Sequence, residues 1–226
     1  MTATDDKIRS TESGMTLLAV MAMMTLFAIA LLAVAPAVQQ DVQREKELES
    51  IRRGEEIAAA IDRYVSFHRG SKLPESIDDL LEGLPQGTKK TQILRPSAAT
   101  DPLSDDGKWR LIKPDPAVIA TFAKRVQDYN NGVLPPNRNK DLDRYSVIIV
   151  NSINTGSGSD LDDPEVEDEF DVVTDDTPFI GVSSQSRSKS VIAYYGIENH
   201  SKWIFTPLFR GTDSSTSPIP RPATVR

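Results

Sequence analysis

The chain has 226 residues, 26 of them basic and 33 acidic, for a formal net charge of −7. It contains no cysteine and two histidines, which excludes disulfide staples, cysteine nucleophiles and histidine-rich metal sites. The acidic balance argues against nucleic-acid binding, and 38% hydrophobic with 26% charged residues fits neither a polytopic membrane protein nor a wholly disordered chain.

Residues 1–14, MTATDDKIRSTESG, form a polar leader with three acids beside Lys7 and Arg9. Residues 15–38 carry no charge, and only Thr16, Thr25 and Pro36 interrupt the apolar run. As a helix this stretch would reach ~36 Å, enough for a ~30 Å hydrocarbon core. In lipid it must be helical, because no water is there to pair with the backbone. Three readings stand open. One is a cleaved secretory signal ending near Ala35-Pro36-Ala37, although the run is long and the leader acidic. Another is a plain signal anchor, whose orientation the flanking Arg44, Lys46, Arg52 and Arg53 do not decide against Lys7 and Arg9. The third is taken up below.

Residues 39–70 turn charged and amphipathic. Leu48, Ile51, Ala58, Ile61, Val65 and His68 recur at steps that predict one apolar stripe. The acids and bases between them, Glu47, Glu49, Glu55 and Glu56 included, are expected on a solvated face. Residues 15–69 then make one rod of ~80 Å. Pro36 removes a backbone donor and predicts a kink or local melting, and Gly54 is a second soft point. His68 is expected to pack.

Residues 71–210 read as a small α/β head. Leu73 to Leu81 predicts a short helix with Pro74 in its first turn, ended by Gly83. Trp109 to Ile112 predicts a strand. Asp115-Pro116 opens a helix that Gly132 stops, with Val118, Phe122, Val126 and Tyr129 on one face. Tyr145 to Val150 predicts a buried strand. Phe179 to Ser183, Val191 to Tyr195 and Lys202 to Phe205 are further strands, the last two paired antiparallel across the Gly196–Ser201 link. Ser183 to Ser190, with Arg187 and Lys189, reads as a polar hairpin loop able to meet a partner's acids. His200 is expected on a surface turn. Residues 151–178 hold an acidic loop, and the Ser/Thr/Pro-rich 211–226 is expected to be a disordered tail.

The loop has no lysine or arginine, and its carboxylates repel one another unless a cation binds. Calcium is the cation that such an all-oxygen set would take, with Asp160, Asp162 and Asp163 first among the candidate ligands. A solvated loop with no ion is the other reading, since Pro164 stands where an EF-hand needs a glycine turn. No Gly-x-Ser-x-Gly, phosphate-binding glycine loop or His-Glu-x-x-His occurs, so no enzyme is expected.

Gly14-Met15-Thr16-Leu17-Leu18 after a short polar leader resembles the processing site of type IV pilins and type II secretion pseudopilins. Pro36 stands twenty-second from Met15, where that family has its kink proline. Asp101-Pro102-Leu103 before Trp109-Arg110-Leu111-Ile112 is similar to a segment of major-pseudopilin heads. Phe179 to Ser184 with Trp203-Ile204-Phe205 looks like their closing strands. The resemblance implies an α+β fold in which the long N-terminal helix packs on a small antiparallel sheet. It implies cleavage between Gly14 and Met15 by a prepilin peptidase, with methylation of Met15. It also implies residence in the inner membrane, with the head in the periplasm. The partners would be the lipid bilayer, an assembly platform and other pilins or pseudopilins that meet through the N-terminal helix. A calcium loop of major pseudopilins supports the ion reading above. The family's fifth residue, a glutamate, is Ala19 here. That points either to a minor or tip position or to a divergent major subunit. The rival is a single-pass membrane-anchored binding protein that never polymerises.

Overall fold

The computed structural model describes residues 5–155, 177–211 and 221–222. The chain divides into two compact units, Met1–Gln43 and Arg44–Arg226. It is a mixed α+β protein. Helix α1, Asp5–Phe67, opens it and continues through Pro36 as helix. Within the second unit, Glu49 takes Arg52 at 2.6 Å and Arg53 at 2.7 Å, opposite charges three and four residues apart. The helix ends where Arg69 and Gly70 turn to positive φ and the Gly70 N–H caps Val65 O at 2.9 Å.

Ile51, Ile57, Ala58, Ile61 and Val65 are buried on the side of α1 that faces the core. Leu48, expected on that stripe, is 41% exposed, while Glu47 and Ser50 are 0% exposed. The buried line therefore runs through 47, 50, 51, 54, 57, 58, 61 and 65, one register away from Leu48. Gly54 is a contact point on this line. A Cβ there would stand 2.2 Å from the ring of Phe205, which is itself fully buried.

Among the described residues the strands form three antiparallel sheets. The strands are β1 Leu84–Gln86, β2 Lys89–Thr91, β3 Arg110–Ile112, β4 Gly181–Ser183, β5 Lys189–Tyr194, β6 Ile197–Asn199, β7 Ile204–Phe205 and β8 Arg221–Pro222. Their orders are β1-β2, β3-β4-β7 and β6-β5-β8. The pairing expected between 191–195 and 202–205 is not the one observed. β7 joins β4 (Val182 opposite Phe205), and β5 turns back on β6 inside the supposed link. Tyr195 and Gly196, both at positive φ, make that turn, a geometry that matches strand twist. The side chain of Tyr195 is held among Phe122, Tyr129 and Tyr194, which offsets the strain of φ 49° at a non-glycine residue. β8 lies within the segment expected to be a tail.

Helix α2, Ile77–Glu82, starts three residues later than its proline suggested. Ser76 and Asp79 form a capping box that fixes the start. The carbonyls of Pro74 and Glu75 instead accept from Phe179 N and Thr177 N. Helix α3, Pro116–Tyr129, is capped by Asp115 and closed at Gly132 as its sequence indicated, with Ile119, Phe122, Ala123 and Val126 buried.

Helix α4, Asp143–Thr155, replaces the strand expected over Tyr145–Val150. Ser146 and Ile149 are buried at helical spacing, while Val147 and Ile148 stand exposed. A 3-10 turn at Lys140–Leu142, capped by Asn139, leads into it. The β-branched run favours a strand locally, but packing beside α3 overrides that preference.

Candidate functional site

In the first unit, every residue from Gly14 to Leu31 is exposed. Eleven large apolar side chains lie bare there, among them Met15 at 74%, Met23 at 75%, Leu26 at 68% and Phe27 at 66%. Each is worth about 1.5–3 kcal/mol when withdrawn from water. A patch of that size on a protein surface marks a membrane or a partner. By length and composition this is one helix able to cross a bilayer. Gly14 and Met15 sit inside the helical backbone of α1, and nothing lies within 4 Å of where a Gly14 Cβ would stand. Thr25 returns its hydroxyl to Met21 O at 2.7 Å, so this polar side chain within the run is satisfied by the helix itself.

In the second unit, α1 is held by side chains expected in water. Glu47 accepts from Val191 N at 2.9 Å and Ile192 N at 2.8 Å, two neighbouring amides where the β5–β6 register shifts. A carboxylate thus takes the ladder donors that the bulge frees. His200, 2% exposed, lies 2.9 Å from Glu47 through Nε2 and 3.3 Å from Ser186 Oγ through Nδ1. With a carboxylate at Nε2 the ring proton belongs there, leaving Nδ1 to accept from Ser186. Trp203 meets the ring edge-on at 4.9 Å. The surface position expected for His200 is therefore corrected: it is a buried clasp on α1.

The network continues. Ser186 N donates to Ser184 Oγ at 3.1 Å, and Ser184 Oγ donates to Asp101 Oδ2 at 2.7 Å. Asp101 Oδ1 accepts from Ser50 Oγ at 3.2 Å and Leu103 N at 3.0 Å. Burial pushes the Asp101 carboxyl up, against the pull of the Ser184, Leu103 and Ser50 hydrogen bonds. The residues 183–190, expected as a polar loop, thus have Ser183, Ser184 and Ser190 buried.

Lower on α1, Glu55 accepts from Tyr194 OH at 2.5 Å and pairs with Arg210. Burial, with Glu55 nearby, raises Tyr194 well above its ordinary value and pushes Tyr195 up to about 12. Glu56 binds Arg95 at 2.7 Å, and Asp62 accepts from Asn139 at 3.0 Å. His68 stacks beside Tyr64 and Phe67, half-buried, as expected for a packed residue.

Ser186, His200 and Glu47 stand in the order of nucleophile, base and orienting acid. Both oxygens of Glu47 are committed to β5 amides and the histidine is shut from solvent, so we read the line as a structural clasp. Among the described residues no group of three or more His, Asp or Glu could hold a metal ion. The calcium candidates Asp160, Asp162 and Asp163 lie outside the described residues, as does most of the acidic loop. Pro36 lies in α1 as helix. Sequence reasoning missed Glu47, Glu55 and His200. Extending the spacing of Ile51, Ala58, Ile61 and Val65 one turn upward lands on Glu47, which was the available signal for it; nothing local marks His200.

No family model, curated protein or solved structure matches this chain.

Proposed function

We propose that the chain is a pilin-like subunit of a type II secretion or type IV pilus-type filament, working by assembly with no chemical step of its own. The observation that carries this reading is the bare apolar stretch Gly14–Leu31, on the same helix whose later part is clasped into a mixed α+β unit. The leader is removed after Gly14 by a prepilin peptidase, and Met15 becomes the methylated N-terminus. The subunit waits in the inner membrane by this helix, with its head in the periplasm. An assembly platform then moves the helix into a bundle of copies or relatives. Lipid and bundle are both apolar, so the transfer is close to an exchange of like environments and remains reversible. The filament serves protein secretion, or extends as a pilus.

Ala19 favours a second reading. Without a carboxylate at that place, no side chain neutralises a neighbour's N-terminal ammonium inside an apolar bundle, and an unpaired charge there is costly. A membrane-anchored binding protein that never polymerises needs no such pair.

Mass spectrometry of the mature N-terminus separates the readings. A chain starting at methylated Met15 is the expected result. Intact Met1 would favour the anchor, and a start at Val38 would make the protein a secreted one and end the assembly reading.

A further inference from the structure

We infer that Asn131 is a modification site of the folded protein: its side-chain amide converts to an acid through attack by the Gly132 backbone nitrogen, at a rate set by Gln127. The inference stands apart from the assembly reading.

Asn131 is the one asparagine in the sequence that a glycine follows. Both residues are exposed at the stop of α3. Asn131 takes φ 58°, a left-handed conformation that asparagine tolerates better than most residues, and Gly132 takes φ 85°. Nothing lies within 4 Å of where a Gly132 Cβ would stand, so there is room beside this backbone for a ring to close. Neighbouring asparagines are occupied. Asn130 Nδ2 donates to Val126 O at 2.8 Å, Asn137 Nδ2 to Asp143 at 3.1 Å and Asn139 Nδ2 to Asp62 at 3.0 Å. Asn131 is bonded through its backbone N–H, to Asp128 O at 3.3 Å, and its side chain makes no hydrogen bond among the described residues.

The step needs only water. The Gly132 nitrogen gives up its proton to solvent base and attacks Cγ of the Asn131 carboxamide. A new C–N bond forms, the carboxamide C–N bond breaks, and ammonia leaves with a proton from solvent. The product is a succinimide ring. Water then opens either of its C–N bonds, giving aspartate or isoaspartate, and nothing is oxidised or reduced. Glycine suits the attack because the nucleophilic residue carries no side chain to obstruct it.

The folded structure holds this step back. The Gly132 N–H donates to Gln127 O at 2.8 Å, and Gln127 Nε2 donates to Gly132 O at 2.9 Å. One residue of α3 thus grips both polar groups of the attacking residue. A proton held in that bond is not given to solvent until the helix end opens, so one local opening governs both amide exchange and the attack. Each conversion adds a negative charge. The isoaspartate form also adds a methylene to the backbone, at a residue whose positive φ closes the helix that α4 packs beside.

Full-length parent and a Gln127→Ala variant are kept in one mildly alkaline buffer. The peptide carrying Asn131 is followed by mass spectrometry for amide-to-acid conversion, and the parent in urea gives the unfolded rate. Alanine is a better helix former than glutamine, so the variant removes the side-chain grip without weakening α3. In the native parent, conversion is expected at Asn131 ahead of every other asparagine, and slower than in urea. In Gln127→Ala it should be about five-fold faster, from the loss of one hydrogen bond. No conversion at Asn131 in the native parent by the time the urea sample is complete overturns the site. A Gln127→Ala rate equal to the parent's overturns the control by Gln127. Hydrogen exchange in the parent needs no variant: a Gly132 amide that exchanges as fast as an unstructured one overturns the gate even if Gln127→Ala does not fold.

Discussion

The two parts of α1 invert what their compositions suggest. From Gly14 to Leu31 the helix is apolar and every side chain is exposed. From Glu47 onward it is crowded with charge, yet Glu47 and Ser50 are fully buried and Glu55 and Glu56 are engaged across the fold. The inversion has one cause. A side chain's environment is set by what covers it, and the second part carries its cover within its own unit, whereas the first part has none among the described residues. Buried Glu47 and half-buried Glu55 are tolerable because each is met by donors: paired amides of β5 for Glu47, the hydroxyl of Tyr194 and the guanidinium of Arg210 for Glu55. The exposed apolar residues have no such provision among the described residues, and by length and composition their helix is one able to cross a bilayer.

Two substitutions should split the helix functionally. Glu47→Ala strands the Val191 and Ile192 amides and the His200 ring without their acceptor. Breaking a buried charged contact of this kind costs about 3–5 kcal/mol, which lowers the melting temperature of a unit this size by roughly 10 °C. Membrane retention should be unchanged. Leu26→Asp should do the reverse: a charge at the centre of a span costs ~2.5–3.5 kcal/mol of insertion, moving the chain out of the membrane fraction while the melting of the second unit stays within about 1 °C of the parent. Thermal melting and membrane fractionation on both variants check the pair. If each variant changed both properties, the two parts of the helix would not be independent and the comparison would fail.

Legibility followed the same divide. The apolar run, the α3 helix with its Asp115 cap and Gly132 stop, and strands overlapping those expected at 109–112, 179–183 and 191–195 could be read locally, because caps, turns and apolar periodicity are local signals. The strand expected over 145–150 was not, because its β-branched residues sit on a helix whose fate depends on α3. The pairing of β7 with β4, and the burial of His200 against Glu47 from 153 positions away, depend on contacts far apart in the chain. An acid that seals a distant strand bulge looks, in sequence, like any acid on a wet helix.

The smallest effect we expect concerns Asp101, and its sign tests whether the buried seam is paired strongly enough to hold a charge. Burial raises the native carboxyl above its unfolded value despite three hydrogen bonds. The folded protein therefore binds this proton more tightly than the unfolded chain does. The resulting stabilisation is complete below the unfolded pKa, near 3.8, and is lost as pH rises through the native value. Asp101→Asn removes the titration while keeping an oxygen for Ser50 and Leu103. Whatever constant change Asn brings through Ser184, the stability of the variant relative to the parent should improve as pH rises from about 4 toward neutrality. Urea midpoints of both proteins across that range measure it. A relative stability that falls with rising pH would mean the hydrogen bonds from Ser184, Leu103 and Ser50 outweigh burial. Asp101 would then resemble Glu49 on the open face of α1, whose carboxyl the hydrogen bonds of Arg52 and Arg53 hold down to about 2.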